Sequence, residues 1–464
     1  MSNRFFKGSF DVIPRIFRTG SWLAAAIFFV SAALPAQVAA PLVPTTVSTP
    51  PPGAAVAGSP DAFDAEAATA AYLARLSPAA RAKSDAYFEG GYWLLLWDLL
   101  AAAIVAWIFL GTGFSARLRD WAERTSRFRF LQTALYSLVY LAGSTLLLLP
   151  WAAYEGYFRE HQYGMSNQNL AAWLSEQAKG LGIDLVFGAL ALCALYAVLR
   201  RSPRNWWIWG AVLGVALEML GILIAPVYLE PVFNDFKPVA ESPLKERILS
   251  MARANEIPAT DVYEFDASKQ TKRISAHVSG LFGTTRISLN DNLMERSSDE
   301  EILSVLGHEM GHYVLHHAMK GLVFLALSLF AGFAFLRWSF DRVRVRYGAR
   351  WGIRGIADPA GLPLLLFLFS IFFFVFTPLN NTVTRTMEAE ADNYGLNAAG
   401  QPDGFAQAAL HLSEYRKMTP GPIEEALFYD HPSGWNRIHR SMIWKREHLA
   451  QQAAIAAAAA APKL

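Results

Sequence analysis

Long apolar segments alternate with short basic segments along most of the chain, and this pattern indicates the structural class of the protein. Six apolar segments are each near the roughly 20 residues that a bilayer requires. They predict transmembrane helices at about 91–112, 130–152, 181–199, 205–228, 320–337 and 361–378. A further apolar segment, 22 to about 40, follows a basic N-terminus and is either a cleaved signal peptide or a first span. The pattern therefore predicts a mainly α-helical, polytopic membrane protein with six to seven spans.

The segments outside the spans divide the rest of the chain. The predicted parts are an N-terminal segment 1–40, a linker and N-terminal loop 41–90, a four-span region 91–228, a polar region 229–319, a two-span hairpin 320–378, a second polar region 379–450 and an Ala-rich tail 451–464. The Pro-, Ala- and Val-rich part at 41–62 is predicted to be flexible or extended. The tail is predicted to fray or to be disordered. We expect the two polar regions to form one soluble unit.

Both polar regions carry patterns of secondary structure. The predicted elements are a helix at 244–255, a short strand at 262–266, a hairpin or paired strands at 274–289, and helices at 384–397 and 405–416. The hairpin is interrupted by Gly280 and Gly283 and would lie beside the helix that follows it. An edge strand in such a position binds an extended peptide by adding it as another strand.

The helix after this hairpin carries the strongest chemical pattern in the chain. Ser298 and Glu301 have the spacing of a capping box at its start. Farther along, His308 and His312 stand one turn apart on the same face, and Glu309 lies beside them. The pattern HExxH on a helix is typical of zinc proteases, in which the histidines bind the metal and the glutamate is the general base. The alternative is two surface histidines beside a helical glutamate.

A catalytic zinc needs a third protein ligand and an open position for water. Glu388 and Asp392 are four residues apart and share a helix face, whereas Glu390 points elsewhere. With the two histidines present, Glu388 is predicted to be the third ligand of one Zn²⁺ per chain. Asp392 is predicted to orient a ligand histidine through its ring N–H. The alternative is a solvated acidic helix.

The order of these motifs resembles the CAAX prenyl protease type 1 family, which are membrane-embedded zinc peptidases of the gluzincin kind. The likeness covers roughly residues 85–440. Its motifs here are HEMGH at 308–312, EAEAD at 388–392, His431-Pro432 followed by Arg437, Ile224-Ala-Pro226 followed by Phe233 to Pro238, and Gly280-Leu-Phe-Gly followed by Arg286-Ile-Ser-Leu289. The resemblance implies a gluzincin-like zinc peptidase core with a small β-hairpin or edge strand.

The resemblance also implies roles for further residues. His431 matches the family's histidine that helps to stabilise the oxyanion, with a plain turn residue before Pro432 as the alternative. Arg437 would be a structural partner near the site. The family's Asn-Ala-Tyr is replaced by Ser275, Ala276 and His277. Ser275 therefore occupies the position that assists the transition state or binds the substrate backbone, and His277 is the candidate to compensate.

The expected activity is zinc-dependent endopeptidase cleavage of peptides or membrane-associated proteins. Eukaryotic members of the resembled family cut prenylated CAAX peptides. A rival within the class is a quality-control protease of the heat-shock type. A rival of another class is a non-catalytic binding or transport protein with a vestigial zinc site. The intact HExxH pattern argues against that rival, because a vestigial site would be free to lose Glu309.

The composition of the chain limits the kinds of binding partner that are expected. The chain has 464 residues, 53% of them hydrophobic, which is too apolar for an ordinary soluble protein. A net charge of +2 indicates no nucleic-acid partner, so a lipid bilayer and a peptide or protein substrate are expected. The lone Cys193 excludes a disulfide framework and a cysteine-based metal site. The sequence gives no indication of oligomeric state.

The charge of the short loops predicts an orientation in the cell (inner) membrane. Basic residues cluster at 117–129, 200–204 and 342–354, whereas the connection at 153–180 is poor in Lys and Arg. The positive-inside rule makes the three basic loops cytoplasmic, which places both polar regions on the outer face. The family resemblance implies instead that the site works from the cytosolic side.

Two further histidines and two carboxylates within predicted spans need an explanation outside these motifs. His316 shares the face of His308 but lies about 12 Å along the helix, too far to share an ion. His316 and His317 are predicted to complement the negative end of the HExxH helix. Asp98 and Glu218 fall within predicted spans and either face a polar cavity or partner, or lie near the interface or stay protonated.

Overall fold

The computed structural model describes residues 63–279 and 285–460. The apolar segment at 1–40, the predicted linker at 41–62, residues 280–284 and residues 461–464 lie outside these residues. The first elements are α1 (Ala65–Leu73), α2 (Pro78–Gly111), α3 (Phe114–Thr125), α4 (Arg129–Gln162), α5 (Leu170–Arg201) and α6 (Trp206–Phe233).

The rest of the described chain carries the polar regions and the last two membrane helices. Its elements are β1 (Phe236–Pro238), α7 (Pro243–Ala254), β2 (Val262–Phe265), β3 (Ala276–Ser279), β4 (Arg286–Asn290), α8 (Asp291–Arg296), α9 (Asp299–Val314), α10 (His317–Trp351), α11 (Leu362–Ala399), α12 (Pro402–His411), α13 (Pro422–Phe428) and α14 (Gly434–Ala460).

Six helices in the described part are long and apolar enough to cross a membrane, namely α2, α4, α5, α6, α10 and α11. Their number and order confirm the predicted membrane class. They are 28 to 38 residues long, and the roughly 20-residue apolar window of each predicted span covers only part of its helix. The hydropathy pattern marks only the apolar part of each helix, whereas helices such as α2 and α11 continue beyond it into contact with the polar regions.

The N-terminal loop predicted before residue 91 is helical in its described part. Ser77 begins α2 by accepting a hydrogen bond from the Ala80 amide, and Pro78 occupies the first helical position. The first turns of α2 then bind the second polar region, because Ser84 Oγ donates to the Arg416 carbonyl at 3.0 Å and Tyr92 to Glu424 at 2.7 Å. This polar helical extension has no apolar signature of its own in the sequence.

Helix α11 joins two elements that the sequence analysis separates. The predicted span at 361–378 and the predicted helix at 384–397 form one helix of 38 residues, with Pro378 inside it. A single rigid element therefore runs from the membrane into the second polar region. At the C-terminus, the Ala-rich tail predicted to fray continues α14 as far as Ala460, in keeping with the high helix propensity of alanine.

The membrane helices share one apolar core. Buried aromatic residues such as Tyr140 and Phe333 lie in it, and the small Gly332 allows the Phe369 ring to approach α10. Asp98 and Glu218 are both buried, each 5% exposed. The indole N–H of Trp151 donates to Asp98 at 2.7 Å, so Asp98 has the polar partner that a carboxylate inside a membrane requires.

The three basic loops lie together at one end of the bundle. Arg119 of α3 contacts the Asp358 carboxylate at 2.6 Å, which joins the loop after α2 to the loop between α10 and α11. Arg337 donates to the Arg204 carbonyl at 2.6 Å and adds the loop between α5 and α6. At the other end, the Asn167 amide donates to the Gln270 carbonyl of the first polar region.

The first polar region folds as a four-stranded sheet of order β1-β2-β4-β3. β3 and β4 are antiparallel, as the predicted hairpin requires, whereas β2 and β4 are parallel. β3 is therefore an edge strand. The predicted helix at 244–255 is α7, whose N-cap Ser242 accepts from the Lys245 amide.

Candidate metal centre

Helix α9 positions the HExxH residues. Ser298 and Glu301 form both hydrogen bonds of the predicted capping box, the second from the Ser298 amide to Glu301 at 2.7 Å. The cap fixes where the helix begins and therefore which residues face inward. His308 is buried and His312 is partly buried on the same side of the helix.

Two glycines bring α11 against α9. A Cβ atom on Gly395 would lie 2.6 Å from the His308 backbone nitrogen, and one on Gly307 would lie 2.9 Å from the Gly395 carbonyl oxygen. Any side chain at either position would force the two backbones apart. This close approach places Glu388 and Asp392 of α11 opposite the two histidines.

Three potential ligand groups converge at this contact. The Nε2 atoms of His308 and His312 lie 3.0 Å apart. Glu388 Oε2 is 3.2 Å from His308 Nε2, and Oε1 of the same carboxylate is 3.4 Å from His312 Nε2. One ligand atom from each residue lies within 4.8 Å of the others, and Glu388 is 4% exposed. The structure therefore brings together the three residues that the sequence analysis names as metal ligands.

The hydrogen bonds of the His308 and His312 imidazoles indicate whether a cation fits between these rings and Glu388. His308 Nδ1 lies 2.9 Å from Asp392 Oδ1, and His312 Nδ1 lies 2.9 Å from His317 Nδ1. When both Nδ1 atoms donate, both Nε2 atoms turn lone pairs toward each other and toward a buried carboxylate. Such an arrangement is unfavourable unless a proton or a metal cation lies between the groups. Two imidazoles and one carboxylate are also a common ligand set for catalytic zinc.

Asp392 sits under this cluster with two arginines. Its carboxylate is fully buried and contacts Arg437 at 2.5 Å and Arg440 at 3.0 Å. Burial disfavours a charged His308 ring, but the hydrogen bonds and charges of Asp392 and Glu388 outweigh burial and raise the pKa of His308 to about 10. Arg437 therefore lies beside the cluster, in contact with Asp392 and 3.4 Å from His308 Nδ1.

A cavity of about 110 Å³ opens beside the cluster. Glu309, Ser275 and His431 line it together with His308. His431 Nε2 lies 3.2 Å from Glu388 Oε2, and its Nδ1 lies 2.9 Å from Asp430 Oδ1. The cavity therefore combines the third histidine, the general-base candidate and the residue that precedes the edge strand β3.

His277 lies elsewhere on β3. Its Nε2 is 3.9 Å from Glu230 Oε2, its ring packs 5.6 Å from the Phe265 ring, and it is not among the residues that line the cavity. Ser275, in contrast, lines the cavity while its backbone exchanges hydrogen bonds with Asn290.

The contact between His317 and His312 does not follow from the sequence pattern. His317 is predicted to face the negative end of α9, but it is the first residue of α10 and is fully buried against His312. Glu390, predicted to point away from the ligand face, bonds to His317 at 3.0 Å. The positive φ of +56° at His316 separates the two helices, and the sequence carries no glycine there to signal it.

The fold and this site together define a class, the membrane-embedded metallopeptidases. Matches to two family models cover nearly the whole described chain. Residues 238–442 match peptidase family M48, and residues 65–235 match the CAAX prenyl protease N-terminal family of five membrane helices. The chain belongs to peptidase family M48.

Known relatives agree with this assignment. The metalloprotease YhfN of Bacillus subtilis, whose activity is uncharacterized, is 32% identical over 336 residues, covering 72% of this chain and 79% of that protein. CAAX prenyl protease 1 of Saccharomyces cerevisiae is 27% identical, covering 66% and 72%. The crystal structure of Ste24p from S. mikatae superposes with a TM-score of 0.67 at 22% identity, covering 79% of this chain and 89% of that chain.

Proposed function

We propose that this membrane metallopeptidase uses one Zn²⁺ held by His308, His312 and Glu388 to cleave peptides or membrane-associated proteins internally. The observation that carries the proposal is the convergence of these three groups within 4.8 Å beside a cavity. The cavity is lined by Glu309 and runs along the start of an edge strand, which is what a peptide substrate requires.

In the proposed mechanism, the metal and the side chains of the protein have separate tasks. Bound zinc supplies Lewis-acid activation of a water molecule and of the scissile carbonyl. Glu309 accepts the proton of the attacking water and passes it to the leaving amine. Glu309 suits this role because it is the neighbour of His308 on α9 and lines the cavity. Asp392 holds the Nδ1 proton of His308, which keeps the Nε2 lone pair directed at the metal.

His431 is proposed to stabilise the negative charge that develops on the carbonyl oxygen. Asp430 takes a hydrogen bond from Nδ1, which leaves Nε2 as the second nitrogen of a ring that lines the cavity, 3.2 Å from Glu388 Oε2. With a proton on that atom as well, His431 donates to the oxyanion. Ser275 also lines the cavity and is proposed to contact the substrate backbone, since its side chain replaces the amide expected there and its own backbone is already bonded to Asn290.

The substrate is proposed to be an extended peptide paired with β3. Relatives named CAAX prenyl protease 1 and the matching N-terminal membrane domain favour a prenylated C-terminal peptide. The charge of the loops favours the second candidate, quality control of membrane or exported proteins. The basic loops lie at the end of the bundle away from the sheet, so the positive-inside rule places the site outside the cytoplasm. A prenylated cytosolic tail would not meet a site on that face.

The test compares cleaved N-termini in membranes of cells that express the wild type or Glu309→Gln. The proposal predicts new internal N-termini that depend on Glu309. A set confined to positions three residues from a C-terminus would indicate CAAX-type cleavage, and a set within exported or membrane proteins would indicate quality control. Identical sets from both strains would contradict endopeptidase activity.

A further inference from the structure

A continuous chain of hydrogen bonds runs from His312 to the protein surface. His312 Nδ1 lies 2.9 Å from His317 Nδ1, and His317 Nε2 lies 3.0 Å from Glu390 Oε2. The same Glu390 oxygen accepts from Lys320 Nζ at 2.6 Å. His317 is fully buried, whereas the side chains of Glu390 and Lys320 are 44% and 48% exposed. The chain thus links a candidate metal ligand to an ion pair at the surface.

The partners at each end fix the protons along this chain. Glu390, paired with Lys320, is a carboxylate and only accepts hydrogen bonds. His317 Nε2 therefore carries a hydrogen, and in the neutral ring its Nδ1 is an acceptor. The 2.9 Å contact between the Nδ1 atoms of His317 and His312 needs one donor and one acceptor. His312 Nδ1 must then be the donor, so its Nε2 presents a lone pair to Glu388 and His308.

The backbone is bent at one residue to make this contact. On a continuous helix, residues five positions apart differ by about 140° in direction, so residue 317 would not face residue 312. α9 ends at Val314, and His316 adopts a left-handed conformation with φ +56°. A residue with a side chain seldom adopts this conformation, and it costs of the order of 1 kcal/mol or more. The bend returns His317 to His312 at the start of α10.

The two candidate ligand rings are thus held in the same way by different partners. Asp392 fixes His308 from the buried side, supported by Arg437. His317, the first residue of α10, fixes His312 and is supported by Glu390. Without its partner, either ring would be free to rotate or to place its proton on Nε2, the atom the metal needs.

We propose that His317 is a positioning residue that holds His312 in the tautomer and orientation required for metal binding, with Glu390 as its anchor. This inference rests on the proposed zinc site. It predicts that changes at His317 act on zinc affinity before they act on the fold. It also predicts that an acceptor atom, rather than the volume of the imidazole, is what His312 requires.

The experiment measures the zinc dissociation constant of the purified full-length protein by competition with a chelator. His317→Asn and His317→Leu are a matched pair of similar size, of which only asparagine keeps an acceptor near the position of Nδ1. His317→Leu is expected to bind zinc about 10–100-fold more weakly, the usual effect of losing a partner of a ligand histidine. His317→Asn is expected to stay within about threefold of wild type. His316→Asn is the control, because His316 is exposed and asparagine tolerates its conformation, and it is expected to match wild type.

Each result decides the proposal. Wild-type affinity in His317→Leu, or an equal loss in His317→Leu and His317→Asn, would overturn it, since the second result indicates packing alone. If His317→Leu does not fold, Glu390→Gln replaces it, because that exposed change keeps the fold and is expected to weaken zinc binding by about threefold or more. Unchanged affinity in Glu390→Gln would then overturn the proposal. Failure of the wild type itself to bind zinc would instead contradict the proposed function.

Discussion

The imidazoles of His308 and His312 meet through their Nε2 atoms, which lie 3.0 Å apart beside the buried Glu388 carboxylate. Because the other nitrogen of each ring is hydrogen-bonded, these three groups are arranged to bind a cation. His308→Ala, His312→Ala and Glu388→Ala are each expected to reduce zinc far below one ion per chain. Elemental analysis of the purified variants measures this. A full complement of zinc in Glu388→Ala would remove Glu388 from the ligand set.

Asp392 is expected to affect both the metal and the fold. Asp392→Asn should weaken zinc binding by about 10–100-fold, because His308 loses a charged acceptor. Asp392→Ala should in addition cost roughly 3–5 kcal/mol of stability, because it leaves the buried Arg437 without its carboxylate. Chelator competition and thermal unfolding in detergent separate the two effects. An unchanged zinc affinity in Asp392→Asn would show that Asp392 has no part in holding His308.

Glu424 gives the protein a pH-dependent link between α2 and the second polar region. Burial opposes its charge, but hydrogen bonds from Tyr92, Lys417 and the Gly421 amide lower its pKa below the usual 4.5. A lowered pKa contributes stability above pH 4.5 that is lost as the pH falls through the lowered value. The unfolding temperature of wild type should therefore exceed that of Glu424→Gln at pH 7, and the difference should shrink below pH 4.5. A difference that grows on acidification would contradict this assignment.

The orientation is tested with single cysteines in a Cys193→Ser background. Ser250 on α7 and Thr125 at the end of α3 are both exposed and lie at opposite ends of the bundle. In intact cells or spheroplasts, Ser250→Cys should react with a membrane-impermeant thiol reagent, and Thr125→Cys should react only after lysis. The reverse pattern would place the site on the cytosolic side and contradict the positive-inside argument.

The local chemistry of the site is more predictable from sequence than its supporting contacts. The capping box at Ser298 and the spacing of His308 and His312 are properties of one helix, so the sequence contains them. Glu388 follows from the need for a third ligand. His317 does not, because its contact with His312 depends on the left-handed conformation of His316, which no glycine marks.

The full length of the membrane helices also cannot be predicted from the sequence, because it depends on contacts between distant parts of the chain. The apolar pattern ends near residue 378, but α11 continues past Pro378 as the same helix and carries Glu388 into the site. No local sequence pattern predicts the polar start of α2 either, because its hydrogen-bond partners Arg416 and Glu424 are more than 300 positions away.

The most direct test of the account measures zinc content and peptide hydrolysis together, in purified wild type and in Glu309→Gln. Glu309 lines the cavity as the proposed general base and is not among the three groups proposed to hold the metal. About one zinc per chain is expected in both proteins, with turnover in the variant reduced by about 10²–10⁴-fold. Wild-type turnover in Glu309→Gln, with its zinc intact, would contradict the account.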